Sequence, residues 1–184
     1  GAYRDNRPDR IPLGVDARQI SDLSDANPWR ETLLGVESVV HLAGLAHVTD
    51  ARTPTAQRTN FINAEATRSL ALAAVGAGVR RLVYISTAKV HGEATEVPLR
   101  ENDPLAPADP YSSSKWAAES AIAEVARNGA IETVVLRPPL VYGPGVKANF
   151  RALMALCDTP WPLPLGAIVQ NRRSLVYVGN LIAA

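Results

Sequence analysis

The chain has 184 residues, of which 47% are hydrophobic and 20% charged, a balance typical of a globular protein with its own core. Its formal net charge of +1 provides no field that would attract nucleic acid, and its single cysteine excludes an intrachain disulfide. Because no apolar stretch is long enough to cross a bilayer and the first residues are polar, we expect a cytoplasmic protein that binds neither nucleic acid nor membrane.

Apolar runs of strand length alternate with helical patterns along the chain. The strands are predicted at residues 2–4, 11–15, 36–43, 81–86, 133–136 and 175–178. The helices are predicted at residues 27–34, 54–75, 110–128 and 149–157. Nearly unbroken apolar strands that alternate with helices are typical of a parallel sheet covered on both faces. The predicted fold class is therefore α/β, with a doubly wound parallel sheet.

The glycine-rich segments do not have the spacing of a phosphate-binding loop. Residues 76–78, Gly-Ala-Gly, precede a strand, whereas a dinucleotide-binding loop follows a strand and opens a helix. Residues 143–145, Gly-Pro-Gly, lack the P-loop spacing and belong to a segment, residues 137–145, that is predicted to be rich in turns.

A tyrosine and a lysine are four residues apart in the predicted helix that starts at Pro110. This spacing places Tyr111 and Lys115 on one face, one turn apart. Because a nearby ammonium favours the phenolate, Tyr111 would act as a general base near neutral pH. Thr87 or Ser86, at the end of the preceding strand, would supply a hydroxyl to the same substrate oxygen. The alternative is a surface tyrosine and a helix lysine that never meet.

Ligands of parallel sheets bind beyond the carboxyl ends of the strands. Gly44, Ser86 and the loop after Arg137 all follow predicted strands, so they are expected to line one crevice.

The histidines and the cysteine do not have the spacing of metal ligands, so no metal site is expected. His41 lies within a strand and is predicted to be a hydrogen-bonded core residue, whereas His47 lies near the crevice, where a substrate contact is possible. Cys157 ends an apolar run and is predicted to be a buried, inert thiol.

Five segments, in this order, resemble those of the extended short-chain dehydrogenase/reductase family, specifically its nucleotide-sugar epimerase/dehydratase branch. The segments are Val40–Gly44, Thr59–Asn63, Ile85–Gly92, Asp109–Lys115 and Leu136–Pro144. The resemblance covers almost the whole chain and implies a Rossmann-like fold, one domain as supplied. Within it, residues 1–140 would form a partial dinucleotide-binding core, and residues 141–184 would start the substrate-binding portion.

The resemblance also implies roles for single residues. Tyr111 would be the base, Lys115 would bond the nicotinamide ribose and hold the phenolate, and Thr87 would orient the sugar hydroxyl. Other cofactor contacts would come from Asp16, Ala17, Ala43, Gly44, Asn60, Ser86 and Pro138. Other substrate contacts would come from His47, Asn149 and Arg173. The alternative for Asn60 is a helix-packing amide, and for Asn149 and Arg173 it is a solvated loop residue.

The function that the resemblance implies is NAD-dependent epimerisation at C4 of a nucleotide-diphosphate sugar, a UDP-hexose first, through a transient 4-keto intermediate. NADP stays open as the cofactor. A nucleotide-sugar reductase or dehydrogenase is the second hypothesis, and a catalytically silent protein that binds a nucleotide or a partner is the third. Ala88-Lys89 stands where the 4,6-dehydratases carry an acidic pair, which argues against dehydration.

The family's Gly-x-x-Gly-x-x-Gly loop is expected before Gly1, and its C-terminal substrate lobe is expected after the last residue. The fold is therefore interpreted as incomplete at both ends. We expect the isolated fragment to bind NAD weakly or not at all, because the pyrophosphate would lack its backbone N–H cradle. The full-length protein is expected to be a homodimer.

Overall fold

The computed structural model describes residues 2–3, 14–15, 18–19, 29–44, 61–146, 148–160 and 171–184. The chain forms two compact units, residues 1–137 and 138–184. The assignment of residues 1–140 to a partial dinucleotide-binding core and of residues 141–184 to the substrate-binding portion of one domain stays a prediction.

The first unit begins with two short parallel strands, β1 (Ala2–Tyr3) and β2 (Arg18–Gln19). The prediction of a strand at residues 11–15 is wrong for the last two residues. Gly14 lies in a turn with φ of 83°, and Val15 is 44% exposed. A positive φ is the left-handed conformation that ends an extended segment. The rest of that predicted strand lies outside the described residues.

Three parallel strands in the order β3-β4-β5 form the main sheet of this unit. They are β3 (Ser38–His41), β4 (Arg81–Ile85) and β5 (Glu132–Leu136). The helices are α1 (Trp29–Thr32), α2 (Ala66–Gly76), preceded by a π-helical turn (Phe61–Glu65), and α3 (Pro110–Ala126). Since α2 lies between β3 and β4 in the chain and α3 between β4 and β5, the predicted α/β parallel architecture is confirmed.

One face of this sheet carries the core. Leu82 and Tyr84 of β4 are fully buried and belong to one cluster with apolar residues of α1, α2 and α3. On the opposite face Val40 and Val134 are 60% and 40% exposed. Among the described elements, α1, α2 and α3 therefore pack on the face of the sheet that carries Leu82 and Tyr84.

The start of α3 is fixed by a capping box. The Asp109 carboxylate accepts a hydrogen bond from the Ser112 backbone N–H at 2.6 Å, and Ser112 Oγ accepts one from the Asp109 N–H at 3.2 Å. Pro110 at the first helical position has the φ that a helix needs and no N–H to leave unpaired. These residues set which side of α3 faces the sheet.

The second unit contains two parallel strands and two helices. They are β6 (Leu140–Tyr142), α4 (Ala148–Cys157), β7 (Leu175–Tyr177) and α5 (Val178–Ala183). Residues 137–145, predicted to be rich in turns, also contain β6, whose pairing partner is the distant β7. The prediction of a buried Cys157 is wrong: the thiol is exposed, as are Met154 and Leu156 beside it.

None of the helices in these described ranges is long and apolar enough to cross a membrane. In the same ranges, no three His, Cys, Asp or Glu side chains converge as metal ligands would.

Candidate active site

A hollow of about 150 Å³ lies where β3 and β4 end and α3 begins. It is lined by Leu42, Gly44, Ile85, Ser86, Tyr111 and Lys115. The structure therefore brings together four residues that the sequence singled out, from the loops after two neighbouring strands and from the first turns of one helix. Their catalytic and cofactor-binding roles remain predictions.

Lys115 is buried where it lines this hollow. Its side chain is 5% exposed, its Nζ donates to the Ile85 carbonyl oxygen at 2.8 Å, and Nζ lies 4.7 Å from the centre of the Tyr84 ring. Burial lowers the pKa of Lys115 to about 8, and the nearby Glu119 carboxylate opposes this shift. The amine therefore exchanges its proton not far above neutral pH.

Gly44 is the close-approach position of the site. A Cβ on this residue would stand 3.0 Å from Asn63 Oδ1 and 3.1 Å from Lys115 Nζ. The missing side chain thus lets the loop after β3 lie against the amide and the amine.

Asn63 is a site residue that the sequence analysis missed. It lies in the π-helical turn before α2, is 1% exposed, and its Nδ2 donates to Ser114 Oγ at 2.9 Å. Thr67, one turn later, donates to the Asn63 carbonyl oxygen at 2.7 Å. Asn60, the asparagine that was predicted to contact the cofactor, lies outside the described residues.

Tyr111 is half-buried, and the expected lowering of its pKa by Lys115 is not observed. Its pKa is raised, first by burial and then by the Asp109 carboxylate, while the cation that opposes these effects is Lys89. The Lys115 amine instead bonds the Ile85 carbonyl. The phenol of this structure is accordingly protonated at neutral pH.

The two hydroxyls at the end of β4 differ in their partners. Ser86 is 4% exposed, and its Oγ has no hydrogen-bond partner among the described residues. Thr87 Oγ1 accepts from the Lys89 backbone N–H at 3.3 Å and so caps the 3₁₀ turn Ala88–His91. A buried hydroxyl without a partner costs free energy, and one that faces a hollow is a candidate for a ligand contact.

His41 is a structural residue, as predicted. Thr67 donates its hydroxyl proton to Asn63, so the 2.8 Å contact between His41 Nε2 and Thr67 Oγ1 has the ring nitrogen as its donor. Burial, and then the charge of Lys115, lowers the pKa of His41 to about 4. The imidazole is therefore neutral at physiological pH.

Other predicted site residues lie elsewhere or outside the description. Ala43 is exposed in the loop after β3. In the second unit Pro138 is half-buried, Arg173 is exposed, and the backbone of Asn149 belongs to α4. The residues outside the described ranges are Asp16, Ala17, His47 and Asn60.

A wider depression of about 480 Å³ lies at the opposite ends of the strands. Its lining consists of turn residues together with Glu37 and Arg80, and none of the residues predicted to be catalytic lines it. Size alone is therefore a poor guide to the site of this protein.

Sequence relatives of the chain include sugar 4-epimerases and dTDP-D-glucose 4,6-dehydratases. The chain is 41% identical over 169 residues to a UDP-glucose 4-epimerase of Vibrio cholerae, covering 89% of this chain and 51% of the relative. It is 30% identical over 166 residues to N-acetyl-alpha-D-glucosaminyl-diphospho-ditrans,octacis-undecaprenol 4-epimerase of Escherichia coli O157:H7, covering 89% and 49%. The chain thus spans about half the length of these two epimerases.

Solved structures share the fold. A structure of MoeE5 in complex with UDP-glucuronic acid and NAD has a TM-score of 0.75 at 28% identity, with 99% of this chain and 61% of that chain covered. The dTDP-glucose 4,6-dehydratase DesIV of Streptomyces venezuelae, with NAD and TYD bound, has a TM-score of 0.73 at 29% identity, with 91% and 52% covered. One of these two neighbours is a dehydratase, and both structures contain NAD.

A family model described as the NAD dependent epimerase/dehydratase family matches residues 3–184, almost the whole chain. The ordered sequence motifs, the parallel α/β architecture and the hollow beside Tyr111 and Lys115 agree with this match. The chain belongs to the NAD-dependent epimerase/dehydratase family.

Proposed function

We propose that the full-length protein is an NAD-dependent epimerase that acts at C4 of a UDP-hexose. The observation that carries the proposal is the convergence of Tyr111, Lys115 and Ser86 beside Gly44 in one hollow at the carboxyl ends of the strands. The 41% identity to a UDP-glucose 4-epimerase supports this reaction over others of the family.

The hollow has the chemical groups that a nicotinamide ribose requires. Ser86 offers a buried hydroxyl without a partner among the described residues, and Lys115 offers an amine with further N–H donors beyond its bond to Ile85. At Gly44 the backbone lies open, with no side chain between it and the amine. A nicotinamide cofactor bound there would supply the hydride acceptor of the reaction. Whether NAD or NADP is preferred is decided by residues that contact the adenine ribose.

Tyr111 is the residue that we assign to proton transfer with the C4 hydroxyl of the sugar. Its pKa is raised by burial and by Asp109, so a positive charge has to stabilise the phenolate before the ring can act as a base. Lys89 already acts in that direction. Lys115, whose pKa of about 8 lies near the working range, is assigned to hold the ribose and to exchange protons with the phenol.

Thr87 is assigned to orient the sugar hydroxyl. Its Oγ1 accepts from Lys89 N–H, which leaves the hydroxyl proton free to donate to a substrate oxygen. Lys89 stands at a position where dehydratases carry an acidic residue. Its ammonium is paired with Asp109 and Glu93. A cation at this position does not provide the acid–base pair that elimination of water needs, so we propose epimerisation rather than dehydration.

The test is an incubation of the full-length protein and NAD with UDP-glucose and with UDP-galactose. Epimerisation is expected to interconvert the two sugars with no net gain of absorbance at the NADH band. Stoichiometric accumulation of NADH would identify a dehydrogenase, and loss of water to a 4-keto-6-deoxy sugar would identify a dehydratase. Either result would reject the proposed reaction.

A further inference from the structure

A carboxylate of α3, that of Glu119, lies on the same side of the helix as Lys115. Glu119 follows Lys115 by four residues, which is one turn, and its side chain is 7% exposed. Arg137, directly after β5, holds this carboxylate at both oxygens, with Nη2 at 2.7 Å from Oε2 and Nε at 3.2 Å from each oxygen. Glu119 and Arg137 therefore form a two-bond ion pair whose carboxylate is buried.

Among the described residues, three other titratable groups around Lys115 carry no charge at neutral pH. His41 on β3 is neutral because burial lowers its pKa to about 4. Tyr84 on β4 and Tyr111 on α3 are protonated because burial raises their pKa values. Glu119 is therefore the anion that counteracts the desolvation of the Lys115 ammonium.

Arg137 connects this carboxylate to the loop that follows β4. One of its Nη atoms donates to the Glu101 carbonyl oxygen at 2.9 Å and lies 3.2 Å from His91 Nε2. His91 Nδ1 lies 3.2 Å from the Pro104 carbonyl oxygen and has to donate there, so Nε2 is the acceptor for Arg137. The guanidinium thus holds Glu119 and the loop in fixed relative positions.

We propose that Glu119, held by Arg137, is a positioning residue that supplies the counter-charge of Lys115 from one helical turn away. Its catalytic consequence rests on the proposed function, in which Lys115 holds the ribose and exchanges protons with Tyr111. The pair favours the protonated amine at the pH of catalysis, whereas burial disfavours it. Glu119 itself does not line that hollow.

A matched control lies on the same helix. Glu124 of α3 also receives a two-bond contact from an arginine, Arg68 of α2, at 2.8 and 3.2 Å. This second pair is exposed, at 42% for Arg68 and 49% for Glu124, so solvent screens its charge. Both substitutions, Glu119→Gln and Glu124→Gln, remove one charge from α3, but only the first removes a charge that faces Lys115.

The test measures the pKa of Lys115 in the full-length protein from the pH dependence of its acetylation, followed by mass spectrometry of the peptide that carries it. We expect Glu119→Gln to lower this pKa by about 0.5 or more, equivalent to a threefold or larger gain in the acid dissociation constant. Glu124→Gln is expected to leave it unchanged. Because Glu119→Gln leaves the partly buried guanidinium of Arg137 without its carboxylate, the double variant Glu119→Gln/Arg137→Met, which removes both charges, is measured in parallel.

An unchanged Lys115 pKa in the folded Glu119→Gln or double variant would overturn the proposal, as would an equal shift in Glu124→Gln. This readout involves no turnover, so it is independent of whether the protein is an epimerase. If turnover is present, the alkaline limb of the kcat/KM profile is expected to move to lower pH in Glu119→Gln alone. A fall of kcat in this variant with an unmoved pH profile would indicate a merely structural residue and contradict the assigned role.

Discussion

The amine of Lys115 donates a hydrogen bond to the carbonyl oxygen of Ile85 at 2.8 Å, which ties the first turns of α3 to the end of β4. This bond satisfies a buried carbonyl where the sheet ladder ends, and it places the amine beside the hydroxyl of Ser86. The same contact takes the ammonium out of water, so the group that is assigned to cofactor binding also carries a desolvation cost.

The first prediction concerns stability at alkaline pH. Because burial lowers the pKa of Lys115 from 10.5 to about 8, the unfolded chain binds more protons than the folded one between these values. The free energy of unfolding of the full-length protein should therefore gain a contribution that rises with pH across this window, about 3 kcal/mol in total. Urea unfolding at pH 7 to 10 measures it.

The control for this prediction is Lys115→Met, which removes the ionisable group and keeps most of the volume. The difference in unfolding free energy between the two proteins is expected to move in favour of Met by about 2 kcal/mol as the pH falls from 10 to 7, and to be nearly constant below pH 7. The series stops near pH 10, because the raised pKa of the Tyr84 phenol makes stability fall at higher pH. A pH-independent difference would contradict the buried ammonium.

The second prediction concerns acid. His41 has its pKa lowered from 6.5 to about 4 by burial, so the unfolded chain binds the extra proton between these values. The neutral His41 therefore contributes to the free energy of unfolding in full above pH 6.5. This contribution, about 3 kcal/mol, is lost as the pH falls toward 4. His41→Gln keeps a donor for Thr67 and should show a flatter loss of unfolding free energy over this range. Parallel acid curves for the two proteins would be inconsistent with a buried neutral imidazole.

The third prediction separates the site from the fold with two glycine substitutions. Gly44→Ala would bring a Cβ to 3.0 Å from Asn63 Oδ1 and 3.1 Å from Lys115 Nζ, so both polar groups have to shift by a few tenths of an ångström. We expect turnover to fall about tenfold with a small change in stability. Gly78→Ala meets no atom but has φ of 74°, so it should cost about 1 kcal/mol of stability and leave turnover unchanged. The reverse pattern would show that the loop after β3 is not part of the site.

The fourth prediction concerns the hydroxyl of Ser86. Since this buried oxygen has no partner among the described residues, Ser86→Ala is expected to leave the cofactor-free protein equally stable or up to about 1 kcal/mol more stable. The affinity for NAD should nevertheless fall severalfold, because the bound cofactor is the partner that we assign to it. Calorimetric titration and urea unfolding give the two values. A less stable variant with unchanged affinity would assign Ser86 to the fold.

Local patterns were enough to predict the framework that carries the site. The capping residues Asp109 and Pro110 fix where α3 begins, and a spacing of four then sends Tyr111 and Lys115 to one side. These signals are short-range: a side-chain cap, a restricted φ and a helical period. The end of α2 at Gly76 was predictable for the same reason, because Gly78, two residues later, has a positive φ of 74°, which does not continue a helix.

Long-range contacts account for what the sequence did not reveal. Strand β6 exists because it pairs with β7, and its flanking prolines and glycines hid it. Asn63 belongs to the site through its bond to Ser114, 51 positions away, which no window of sequence contains. The pKa of Tyr111 is raised and not lowered because the burial of the ring and the charge of Asp109 outweigh the charge of Lys89.

The fifth prediction addresses the base directly through Tyr111→Phe in the full-length protein, which removes the hydroxyl and keeps the ring. Rates of UDP-galactose conversion to UDP-glucose are compared with those of the unaltered protein, with NAD affinity measured on both. We predict a fall of kcat by about 100-fold or more with the cofactor still bound, as is typical for the loss of a general acid–base group. Undiminished turnover in the Phe variant would contradict the assignment of Tyr111 and the account of the site built on it.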